Sequence, residues 1–252
     1  NLLNVITLFL GLHLIIWTLV PTFSNINLPL DTIEALAWGS NIEWGFNKHP
    51  PLSAFVVEIF YKIFGNNDWA YYFLSQLFVI TSFFLVWRFS VEFFEKKIYS
   101  FFSVLLLEGI YFYNFTTPEF NVNVCQLPFW AGTVYFFWKA INDNKNINWI
   151  LFGLLAGLGF LSKYLFVYLL ASLIIFFLFE AFKQKKFNTK CFISLIVFFL
   201  VIFPHLLWLN DNNYSAIFYG IERTGLESSN LLKHLTNPLI FLLKQIGILV
   251  PT

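Results

Sequence analysis

Methionine is absent from all 252 residues, and only two cysteines, Cys125 and Cys191, occur. The missing methionine has no physical account, but so few cysteines exclude a disulfide framework. Charge is scarce too: 12% of residues are Asp, Glu, Lys or Arg, the net charge is +1, and the basic residues form no stripe, which excludes a nucleic-acid partner. The chain also lacks an internal repeat, a low-complexity tract and a signal peptide with a small-residue cleavage pattern. What fills it is apolar, with 58% hydrophobic and 22% aromatic residues and a mean hydropathy of +0.70. A water-facing exterior needs far more polar surface than this leaves. The sequence therefore predicts an all-α polytopic transmembrane helical bundle surrounded by membrane lipids.

Apolar runs predict about seven to eight spans, each needing roughly 20 residues to cross the hydrocarbon core. Val5 to Val20 is the first, ending at Pro21. An outer loop over 22–65 follows and carries interfacial helices: an acidic one, then Leu52 to Phe64, opened by Pro51 and closed by Gly65. Trp69 to Phe94 spans, Ile98 to Tyr113 returns, and 114–121 makes a second outer loop. Val122 to Ala140 spans again, bent at Pro128. Trp149 to Phe182 is too long for one span, so a helical hairpin turning at Ser162-Lys163-Tyr164 is expected. Cys191 to Leu209 crosses next, 210–237 is a later outer loop, and Pro238 opens a further span.

Orientation follows from the basic residues. Arg88, Lys96, Lys97, Lys139, Lys145, Lys183, Lys185, Lys186 and Lys190 fall on one side; Lys48, Lys62, Lys163, Arg223 and Lys233 fall on the other. The richer side is cytoplasmic by the positive-inside rule. Cys125 and Cys191 then lie at opposite faces, beyond the reach of a disulfide. The residues gathered at the outer face are the ones with chemical potential.

Among them, Asp31 and Glu34 stand three apart on one helix face, which also takes in Asn41, and Lys48-His49-Pro50-Pro51 follows. The same Asp31/Glu34 spacing suits a helix N-cap with its reciprocal partner. Sugar transfer from a lipid phosphate makes two demands: charge building on the leaving phosphate must be stabilised, and an acceptor hydroxyl must lose a proton. Lys48, Lys163 and Arg223 suit the phosphate and Asp31 suits the proton, while Glu34 is a candidate contact to the acceptor, the sugar hydroxyls or a divalent cation. His49, Glu119 and Asn121 are candidate substrate contacts. Glu108 joins them because an ionisable residue inside a span is rare and usually functional. Asp31, Glu34 and Glu119 also form a candidate oxygen-only site for Mg or Mn. No histidine pair has zinc-ligand spacing, and His13 and His205 are expected to satisfy local polar needs near helix ends. Trp38 and Trp44 are belt or packing residues, with sugar stacking as the alternative.

A transporter or flippase for a lipid or amphiphile is the competing class. It would want charges near the midplane and two related halves, whereas here the charges cluster at one face and only Glu108 speaks for transport.

Asp31-Thr32-Ile33-Glu34-Ala35, Lys48-His49-Pro50-Pro51-Leu52, Thr117-Pro118-Glu119-Phe120-Asn121 and Leu161-Ser162-Lys163, in that order, resemble the bacterial branch of the GT-C glycosyltransferases. That branch holds the protein O-mannosyltransferase-like proteins and the lipid A aminoarabinose and galacturonic acid transferases. The resemblance implies inverting transfer from a polyprenyl-phosphate sugar to lipid A, another envelope glycan or protein. It places the active site at the periplasmic face of a bacterial inner membrane. Asp31 and Glu34 resemble the first-loop acidic residues, Lys48 and Lys163 the donor-phosphate contacts, and Glu119 the second-loop carboxylate. Two departures stand out: many relatives place the acidic pair adjacent, and some carry Glu where Asn47 stands. Relatives are also longer, with a soluble C-terminal region. Residues 1–252 are thus expected to be one catalytic transmembrane domain truncated at its C-terminus, since the chain starts at Asn1 and stops inside an apolar run.

Overall fold

The protein is described by a computed structural model that covers residues 2–185, 187–223 and 233–248. Lys186, residues 224–232 of the later outer loop, and the chain's last residues lie outside the described residues. Within them the chain is helical and contains no strand. In order, the helices are α1 (Leu2–Ser24), α2 (Leu30–Gly39), α3 (Leu52–Phe64), α4 (Asp68–Ser90), α5 (Lys97–Glu108) and α6 (Val122–Asp143). They continue with α7 (Asn146–Ser162), α8 (Val167–Gln184), α9 (Cys191–Asp211), α10 (Ser215–Arg223) and α11 (Lys233–Ile248). Four described segments are long and apolar enough to cross a membrane: α1, α4, Tyr164–Gln184 and α9.

The bundle runs laterally from α1 through α4, α6 and α7 to α9, each packed on the next. α4 is the central post. Tyr71, Leu74, Val79 and Phe83 on it are almost fully buried and join a core with Ile6, Val104, Phe120 and Val124. Polar residues face inward on the same helix, and Ser75 and Gln76 are also buried. α2 and α3 pack on each other, with α3 reaching α4, α6 and α7.

Several helix ends differ from the sequence expectation: α4 stops at Ser90 instead of Phe94, and α5 stops at Glu108, short of the Tyr113 expected for the return span. α1 runs through Pro21 to Ser24, because a proline one turn from the end removes a single bond where few remain. The turn is closed instead by Asn25 N–H to Pro21 O at 3.0 Å and by Thr22 Oγ1 to Thr18 O at 2.6 Å. α2 is capped at Pro29, not Asp31, so the Asp31/Glu34 capping pair does not form and Asp31 lies within the first turn. Asn41 lies beyond the end of α2, where Gly39 meets α3 so closely that a Cβ would stand 2.8 Å from Ala54 O. Pro238 lies inside α11 instead of opening it.

The break at Lys163 is present. Its backbone is extended (φ −161, ψ 134) between α7 and a short 3-10 turn over Tyr164–Phe166. The two arms return alongside each other: Trp149 near the start of α7 meets Phe177 well along α8, with ring centroids 6.0 Å apart. α3 keeps its expected bounds, closed by Gly65 at φ 64.

α7 and α9 approach through Gly153 and Gly157, a small-xxx-small pair. A Cβ on Gly153 would stand 2.4 Å from the Ser194 carbonyl oxygen, and one on Gly157 would stand 2.7 Å from the Val201 side chain. Backbone cannot rotate aside as a side chain can. Gly153→Leu is therefore expected to destabilise by about 1–3 kcal/mol through overpacking, and Gly157→Ala by less. Reversible unfolding in mixed micelles orders the two.

Candidate active site at the ends of the helices

The second outer loop holds the start of α2. Glu119 Oε1 accepts the Asp31 backbone N–H at 3.1 Å, and Thr32 Oγ1 donates to Phe120 O at 3.1 Å from a buried position. A carboxylate brought from 88 residues away thus caps α2, satisfying a donor that Pro29 cannot. This leaves the Asp31 side chain exposed, and among the described residues its carboxylate has no hydrogen bond or ion pair. Asn121, a candidate substrate contact, is instead the buried N-cap of α6, accepting from Asn123 N at 2.9 Å and Val124 N at 3.2 Å.

The same loop is tied from below to a polar chain inside the bundle. The Ser75 hydroxyl donates to Thr117 O, and Gln76 Nε2 donates to Thr117 Oγ1 at 3.4 Å. Gln76 Oε1 meets His13 Nε2 at 3.0 Å, and His13 Nδ1 meets Glu108 Oε2 at 2.7 Å. Glu108 is therefore paired with His13 between α1 and α5 and is not a member of the loop cluster. His13 serves the bundle interior, not a helix end.

Lys48 sits in a turn closed by Phe46 N–H to His49 O at 3.1 Å, and its Nζ lies 2.5 Å from Glu34 Oε1. The hydrogen bond and charge of Glu34 hold the Lys48 ammonium above the usual lysine range. Phe46 stacks on Trp38 with centroids 5.4 Å apart, and His49 meets the same indole edge-on at 5.7 Å. Trp44 packs against Phe55 of α3. Trp38 and Trp44 thus act as packing residues for the turn.

Lys163 reaches from the hairpin break to Asn123, with Nζ 2.5 Å from Oδ1. Burial, and then the nearby Arg223 guanidinium, hold its ammonium below the usual lysine range. Arg223, exposed at the end of α10, acts on Lys48 in the same sense. Burial, and then Lys163, hold the His49 imidazole below its usual range; Glu34, Lys48 and Asp31 also lie within electrostatic reach of it. Two cations and two carboxylates therefore lie within electrostatic reach of one imidazole.

Lys163 is the first of the two lysines to lose its charge as pH rises, because its ammonium is held below 10.5 and that of Lys48 above it. Binding of an anion that needs both is expected to weaken on the alkaline side, and Lys163→Arg is expected to move that fall to higher pH. Affinity for a polyprenyl monophosphate measured across pH checks it.

Among the described residues no group of three or more His, Cys, Asp or Glu is disposed to hold a metal ion. Glu34 has one oxygen on Lys48 and Glu119 one on the Asp31 amide, so Asp31, Glu34 and Glu119 do not close on one point. Sequence reasoning missed Asn123, the partner of Lys163, although the Asn121-Val122-Asn123 doublet at a helix start was a signal. It also missed Glu43, whose carboxylate accepts Trp208 Nε1 at 3.1 Å; nothing local marked that pair, which joins residues 165 apart.

Lysines, an arginine and free or paired carboxylates thus lie near the ends of apolar helices long enough to cross a membrane. The sequence profile of the dolichyl-phosphate-mannose-protein mannosyltransferase family matches residues 48–208, well over half of the chain, and the chain belongs to that family. The match starts at Lys48 and includes Glu119 and Lys163, whereas Asp31 and Glu34 precede it. No curated protein and no solved structure matches.

Proposed function

We propose that this glycosyltransferase moves a sugar from a polyprenyl-phosphate donor to lipid A, another envelope glycan or protein, at the periplasmic face of a bacterial inner membrane. The observation that carries the reading is that Lys48, Lys163 and the Asp31 carboxylate, which has no partner among the described residues, all lie within electrostatic reach of His49, with Arg223 within reach of both lysines. A phosphate monoester leaving group accumulates negative charge as its bond to the sugar breaks, and fixed cations stabilise that charge most where water is scarce. The acceptor hydroxyl oxygen forms the new bond to the anomeric carbon while Asp31 takes its proton. The electron pair of the broken bond goes to the phosphate oxygen, held by Lys48 and Lys163. Attack opposite the leaving phosphate inverts the anomeric centre. His49, half-buried between the lysines and the carboxylates, lines the donor side, and Glu34 holds Lys48 in place until phosphate arrives. No observation favours transport.

The test is transfer of radiolabelled sugar from mixed polyprenyl-phosphate sugars onto total envelope lipid and protein, in membranes carrying the wild-type protein or its Asp31→Asn form. Label in one acceptor fraction with wild type only is the expected result. No label with either form, given folded protein and a competent donor pool, would sink the reading.

A further inference from the structure

His205 is the one fully buried imidazole whose two nitrogens join the segments carrying the two candidate phosphate lysines. Its Nδ1 lies 2.5 Å from the Trp44 carbonyl oxygen, and its Nε2 lies 2.9 Å from the Tyr164 hydroxyl. A carbonyl oxygen only accepts, so Nδ1 carries the proton. Nε2 of the neutral ring then accepts the Tyr164 O–H, which satisfies both nitrogens in one tautomer. The ring is held between Tyr164 (centroids 5.7 Å, planes 28° apart) and Trp208 (6.1 Å, 11°).

Trp44 lies four residues before Lys48, and Tyr164 directly follows Lys163. Two further contacts press the first-loop segment onto α9. Trp208 Nε1 donates to Glu43, and Gly45 lies so close to the Trp208 ring that a Cβ would stand 2.2 Å from it. No larger residue fits at Gly45 unless the turn or the Trp208 ring shifts. The Lys48 turn and the Lys163 break come from segments more than a hundred residues apart, and α9 supplies the common surface that registers them.

We propose that His205 is a positioning residue that fixes the separation of the Lys48 and Lys163 ammonium groups, and thereby the fit of a phosphate monoester between them. This rests on the donor-phosphate reading of those lysines. Two rigid cations at a set spacing bind a compact dianion better than two mobile ones, because the ordering cost is met on folding.

The test uses the full chain in nanodiscs and sugar-free polyprenyl monophosphate as the probe, with amide hydrogen exchange as an independent readout. His205→Phe keeps the ring stack but leaves the Trp44 carbonyl without its donor; it is expected to weaken binding by about tenfold, the order of one lost buried hydrogen bond. His205→Asn, whose amide can still donate to Trp44 O, is expected to recover most of that loss. In a Lys48→Ala background His205→Phe is expected to add little, since there is no longer a spacing to set. Exchange over residues 43–49 should quicken in His205→Phe while that of α3 and α4 does not change. Unchanged exchange at 43–49, or losses that simply add with Lys48→Ala, overturns the proposal. Wild-type protein that ignores polyprenyl phosphate overturns the donor-phosphate reading, and the coupling of His205 to it, whatever the exchange shows.

Discussion

Asp31→Asn lowers the turnover of sugar transfer by about 10²- to 10⁴-fold, the range a positioned general base contributes, and leaves donor binding intact or tighter. Three features give the direction. Asn is nearly isosteric, and the side chain it replaces is exposed with no partner among the described residues, so the fold loses nothing. The Asp31 backbone N–H, the group that the structure does use, is retained and still reaches Glu119. The lost negative charge lies within reach of the same imidazole as Lys48 and Lys163, so its removal strengthens the local positive field seen by a phosphate. Initial rates at saturating donor, together with donor affinity for each protein, check this. A loss that fell on affinity with turnover preserved would make Asp31 a binding group and remove the base from the mechanism.

Lys48→Ala raises the donor dissociation constant by about 10- to 100-fold, corresponding to the ~1.5–3 kcal/mol typical of a hydrogen bond to a charged group. The loss has two parts. The phosphate loses one cation, and Glu34, whose oxygen stood 2.5 Å from that cation, is left facing the incoming phosphate as an uncompensated negative charge. Adding Glu34→Gln to Lys48→Ala removes that second part and restores part of the affinity. Glu34→Gln alone frees Lys48 from its counter-ion and costs donor binding little. Titration of the three variants with polyprenyl monophosphate decides the matter. A double variant as weak as Lys48→Ala would show that Glu34 repels nothing and assign the whole effect to the lost cation.

The ordering of these variants follows from contacts that the residue pattern partly announced. Asp31, Glu34, Lys48 and Lys163 stood out as candidates because polar residues between long apolar runs have few structural reasons to be charged. Their type and their side of the bilayer then suggested the chemistry. The break at Lys163 was legible for the same reason, since one uninterrupted helix over 149–182 would overshoot a bilayer. The bounds of α3 were legible from Pro51 and Gly65, which fix local backbone geometry whatever surrounds them. Pairwise choices were not. Asp31 and Glu34 matched a capping pair, but Glu119 and Pro29 took the cap because the second loop packs onto α2 through Thr32 and Phe120. Asn121 and Glu108 carried the same chemical potential as Glu119, yet one caps α6 and the other pairs with His13.

The sequence by itself determined the all-helical membrane class and the family to which residues 48–208 belong. These properties depend on composition and on neighbours along the chain. Tertiary structure alone decided which carboxylate is free, which is a cap and which is a counter-ion, and it made His205 the joint between the two lysine-bearing segments. Each of those roles is fixed by a contact between residues from 14 to 161 positions apart. Hydrogen bonds of a few ångströms depend on how helices pack, and a local pattern contains no measure of that.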